Sequence, residues 1–144
     1  MLKGLLDLHN LLRWLILILL LVNIIKNYAD LKKPFAKAHK KLGLWLMICA
    51  HITLLVGLGI LAVDLSALAD KSGIMSNEAL RFKFVEHPVA MIIAIVLITI
   101  GKGVAKKDIS DLKKHRKAAT LFLIALILIL IMIPWSTSSL VPGM

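Results

Sequence analysis

Apolar residues run almost unbroken over roughly 8–27, 42–64, 84–104 and 117–135, and the segments between these runs are short, polar and rich in lysine. A helix needs about 20 residues to cross a hydrocarbon core of about 30 Å, so each run predicts one membrane-spanning helix. Links this short make consecutive helices antiparallel neighbours. The expected fold is therefore all-α, an integral membrane up-down four-helix bundle formed by residues 1–144 as one domain. In it helices one and three face each other across the bundle axis, as do helices two and four.

Local signals refine the boundaries. Pro34 opens the second helix early, in an amphipathic turn carrying His39. Ser76-Asn77-Glu78 predicts an N-cap for the third helix and Pro88 a kink within it. Pro134-Trp135 and the serines after it end the fourth, with Trp135 in an interfacial aromatic belt. The first run is not a signal peptide on this reading: it carries His9 and Arg13, and no small-residue cleavage site follows it.

Composition agrees. At 60% hydrophobic residues the chain is too apolar for a soluble domain. Its net charge of +10 does not point to nucleic acid, because the basic residues lie between the apolar runs and form no patch with aromatic residues. The link after run one sets Lys32, Lys33, Lys37, Lys40 and Lys41 against the single acid Asp30. The link after run three sets Lys106, Lys107, Lys113, Lys114 and Arg116 against Asp108 and Asp111. Both links are expected on the cytoplasmic side, which puts both termini on the outer side. The setting is a multi-pass protein of a bacterial inner membrane. The one cysteine, Cys49, lies in an apolar run and is read as a small packing residue.

Histidine carries the chemistry. His9, His51 and His87 sit within or at the edge of three different apolar runs, where an imidazole is costly unless something binds it. Counted outward from the cytoplasmic ends at 1.5 Å per residue, His9 and His87 both come out roughly 24 Å up, on diagonal helices, and His51 roughly 10 Å deeper. On helix one Arg13, Asn23 and Asn27 share the His9 face, and on helix three Ala90 and Ala94 continue the His87 face. Two axial imidazoles over small residues, with Arg13 and Arg81 for propionates and Glu86 or a freed carbonyl to orient an imidazole, suit a bis-histidine haem. On helix two Gly43, Ala50, Gly57 and Asp64 recur every seven residues, about 100° round from His51, and predict a close helix contact. His39 and His115 lie in lysine-rich links and are expected to be solvated, although a second haem between helices two and four would need them.

Leu8-His9 with Leu12-Arg13-Trp14, Ala50-His51, Val85-Glu86-His87-Pro88 and Ile133-Pro134-Trp135 together resemble small bacterial four-span proteins described as b-type cytochromes, and more loosely the cytochrome b561-type bundles. The resemblance implies a non-covalently held haem b, with His9, His51 and His87 at the matching histidine positions. It departs from the b561 pattern in lacking a histidine at membrane depth on the fourth run, which a two-haem path across the membrane would need. No Cys-x-x-Cys-His is present for covalent attachment, and hydrolase, P-loop and dinucleotide signatures are absent.

The leading expectation is an electron-transfer protein rather than a self-contained enzyme, with the bilayer, a quinol and a redox protein as compatible partners. A structural or assembly subunit of a larger membrane complex or oligomer, stabilised by pairs such as Arg13 with Glu86, is the rival. A divalent zinc or copper site built from His9, His51, His87 and Glu86 is the third reading, and the depth spread of its ligands weighs against it.

Overall fold

A computed structural model describes residues 2–68 and 71–133. Its helices are α1 (Leu2–Ala29), α2 (Lys37–Ala67), α3 (Glu78–Arg81), α4 (His87–Gly103) and α5 (Asp111–Met132). A π-helical turn over Phe82–Glu86 joins α3 to α4, so that Glu78–Lys106 is one long helix. Four helices are thus long and apolar enough to cross a membrane.

The first three extend past both ends of the apolar runs that predict them, and α5 begins before its own, since polar capping residues can start a helix outside the apolar run. Asn77 accepts a hydrogen bond from the Leu80 N–H and starts α3, as the Ser-Asn-Glu signal predicts. Ser110 does the same for α5 through the Lys113 N–H, six residues before the apolar run begins. The expected ending at Pro134-Trp135 lies outside the described residues.

α1 packs on α2 and α5, and α4 packs on the same two, which leaves α1 and α4 on one diagonal and α2 and α5 on the other. This is the up-down square that short links demand. Leu20, Leu46, Ile98 and Phe122, one from each long helix, are fully buried in the core. Around the outside, Ile25, Leu55, Ile93 and Ile131 are exposed, as on helices whose solvent is lipid.

Small residues decide how closely the helices approach. On α2, Gly43 faces the stem of Lys102, Ala50 is fully buried and Gly57 faces the His9 ring, so the seven-residue stripe is the inward face of α2. On α4, a Cβ at Gly101 would stand 2.7 Å from Cε1 of the buried Phe122 ring. Gly101→Ala is therefore expected to destabilise the bundle by about 1–3 kcal/mol through overpacking. Gly43→Ala, whose Cβ would meet Lys102 Cγ at an ordinary 3.5 Å, should stay within about 1 kcal/mol of the parent. Thermal unfolding of both variants in detergent compares them.

Candidate functional site

The half of the bundle away from the lysine-rich links is hollow. A cavity of about 1200 Å³ opens between α1, α2, α4 and the end of α5, walled by apolar residues such as Ile16, Leu54, Met91, Ile95 and Ile129. His9, Asn10, Arg13, Glu86 and His87 enter this wall. Asp64, which also lines it, is held 3.1 Å from the Lys83 ammonium at the rim.

His9 and His87 come together across the α1/α4 diagonal, as their matched depths predict, with ring centroids 6.5 Å apart and planes tilted by 45°. Each ring is fixed from a different side. The Cδ2–Nε2 edge of His9 rests against Gly57, 3.6 Å from where a Cβ would stand, so the glycine leaves the imidazole its room. Nδ1–H of His87 donates to the Met132 carbonyl at 2.9 Å, and Phe82 flanks the ring at 5.9 Å between centroids. That carbonyl is one of the last of α5, where the helix has no partner of its own for it. Its effect is to put the proton of neutral His87 on Nδ1 and leave a lone pair on Nε2.

Arg13, one turn below His9, is buried to nine-tenths. Its Nη2 donates to Asn10 Oδ1 at 2.8 Å, while Nη1 is buried with no hydrogen-bond partner among the described residues. A buried guanidinium with a spare donor beside a cavity is ready to take an anionic or carbonyl oxygen. It does not pair with Glu86. That carboxylate accepts from Arg81 Nε at 3.0 Å, and Arg81 Nη1 also donates to the Met75 carbonyl. Arg81 is thus tied up at the surface and does not line the cavity.

Three other expected residues lie elsewhere. His51 is on the exposed side of α2, its Nδ1–H donating to the Met47 carbonyl at 2.8 Å, so it does not join the other two imidazoles. Ala90 and Ala94 are buried, but Met91, Ile95 and Ile98 form the cavity wall below His87. Among the described residues no three of His, Cys, Asp and Glu converge as one metal group.

The opposite, lysine-rich end corrects a further expectation. His39 and His115 are not solvated; they are 5% and 0% exposed, with ring centroids 4.5 Å apart and Phe35 packed against both. Nδ1 of His39 accepts from the Ala36 N–H at 3.0 Å, and its Nε2–H donates to Asp30 at 2.9 Å. His115 Nδ1 lies 2.8 Å from Asn27 Oδ1, and Nε2 lies 3.0 Å from the Lys33 carbonyl. No ring nitrogen of this pair is left to bind a metal, and the rings stand too close to hold one between them. The sequence held a signal for this cluster in Asp30, the single acid among so many lysines, with Phe35 just after Pro34.

No known protein family, curated protein or solved structure matches the chain.

The hydrogen bond from His39 holds the Asp30 carboxyl below the usual carboxylate range; its partial burial works against this, and Lys26 and Lys33 add to it. A depressed value means that the stabilisation is present above the ordinary carboxylate pKa of about 3.9 and is lost as pH falls through the folded value. The unfolding temperature should accordingly drop on acidification below that point. Asp30→Asn should lie lower than the parent at neutral pH and lose this share of the acid dependence, as scans at several pH values would show.

Proposed function

We propose that the chain is a membrane b-type cytochrome, carrying single electrons through one haem held between His9 and His87. The spacing of those two rings supports this reading most. Two imidazoles that would hold one metal between them need ring centres about 6 Å apart, from a bond of about 2.0 Å and about 1.1 Å from nitrogen to ring centre on each side. The rings here are at 6.5 Å. By the same measure the His39–His115 pair, at 4.5 Å, favours one haem rather than two.

The rest of the site fits the group as well. The cavity is larger than the about 300–1,000 Å³ of ordinary small-molecule sites, as a macrocycle requires. The spare Nη1 of Arg13 suits a propionate, whereas Arg81 is engaged with Glu86. His87 keeps its Nε2 lone pair available through the Met132 carbonyl, and most of the wall is apolar, as a macrocycle's faces require. When bound, haem supplies one-electron oxidation and reduction at iron.

With the lysine-rich links inside, the site lies near the outer face of a bacterial inner membrane and both termini are outside. A lipid-borne quinol and a soluble redox protein are the partner classes that this position allows.

The test is the visible spectrum of detergent-purified protein, oxidised and then dithionite-reduced, with extracted haem measured against protein. A sharp reduced α-band and about one haem per chain are expected for a single bis-imidazole site. His9→Ala and His87→Ala should each lose the low-spin spectrum, while His51→Ala keeps it. A colourless protein, even with haem supplied during expression, would leave the structural-subunit reading in its place.

A further inference from the structure

His115 faces an oxygen with each of its ring nitrogens: Asn27 Oδ1 at 2.8 Å and the Lys33 carbonyl at 3.0 Å. A neutral imidazole has one N–H and one lone pair, so it satisfies one of these acceptors and turns a lone pair on the other. Rotating the Asn27 amide does not resolve the conflict. Its Nδ2–H already donates to the Asn23 carbonyl at 2.8 Å, and the turned amide would bring Oδ1 against that carbonyl instead. One more proton is needed, and the imidazolium supplies it, since both of its nitrogens donate.

We propose that His115 is held as an imidazolium and acts as a proton-operated latch, tying the link between α1 and α2 to α5 at the lysine-rich end. Its two donors reach α1 through Asn27 and the link through Lys33, so one charge on α5 holds both. The neighbouring His39 is neutral by construction, because its Nδ1 must accept from the Ala36 N–H. The counter-charge is Asp30, reached through His39 and shared with Lys26 and Lys33. The turn after α4 holds buried Val104 and exposed Lys106, and on α5 the sequence neighbours Lys114 and Arg116 are not buried.

The latch has a definite sign. Charged His115 holds both acceptors at once; with a single ring N–H one of the two faces a lone pair and the link is released.

Ring ¹⁵N NMR of the full chain in detergent or nanodiscs, with histidine labelled, tests the charge directly. Signals are assigned by subtraction, from single replacements of each of the five histidines. At neutral pH His115 should show two protonated ring nitrogens and His39 one; a lone pair at either nitrogen of His115 overturns the proposal. Amide exchange of residues 30–36, corrected for the chemical rate, tests the latch. Protection in the parent should be lost as pH rises and should be missing throughout in His115→Gln. Equal protection in the parent at every pH overturns it, and that measurement stands even where the variant does not fold. Neither readout depends on haem.

Discussion

A polar side chain within an apolar helix cannot turn to water, so it must find its partner among the other helices, and here that constraint falls mostly on α1. Its buried polar residues are Asn10, Arg13, Asn23 and Asn27. Asn23 donates to the Leu19 carbonyl of its own helix and to the Leu42 carbonyl of α2. Asn27 reaches His115 on α5, and His9 lies against α2 and beside His87 of α4. One helix thus carries a polar tie to each of the other three, and these ties fix rotation and depth where apolar packing between lipid-bathed helices fixes little.

The two ends of the bundle settle the same constraint differently. At the lysine-rich end the polar groups close on one another: Asp30 bonds His39, Asn27 bonds His115, the two rings lie 4.5 Å apart, and every ring nitrogen has a neighbour. At the other end they surround a hollow, and Arg13 keeps a nitrogen without a partner among the described residues. A closed network of this kind stiffens a fold, whereas an unfilled donor beside a cavity stores an unmet interaction that a ligand can satisfy. The contrast separates structure from function within one small bundle.

Much of this was legible from the chain. Run lengths and short links specify the square of helices, and counting residues from the polar ends aligns His9 with His87. The placement of His51 was legible too, although depth alone leaves it a candidate. Gly43, Ala50 and Gly57 mark the inward face of α2, and a residue about 100° round from that stripe points away from the cavity. What the sequence hides is whatever depends on long-range closure. His39 and His115 are 76 positions apart in lysine-rich segments, so nothing local shows that the Pro34–Phe35 corner folds over both rings. The carbonyl that orients His87 belongs to Met132, and a backbone acceptor has no residue signature.

The π-helical turn at Phe82–Glu86 divides the third spanning helix into two mechanically distinct pieces. The His87 N–H bonds back to the Phe82 carbonyl, five residues away, and Pro88, which has no N–H to offer, follows at once. The turn amounts to one residue more than an unbroken α-helix would use. Removing that residue would turn everything before it by about 100° about the helix axis while α4 stayed in its packing. Lys83 and Glu86, which line the cavity, are therefore on a different gear from His87, below which Met91, Ile95 and Ile98 continue the wall. Insertions and deletions at this point can redraw what approaches the cavity and leave the imidazole pair in register.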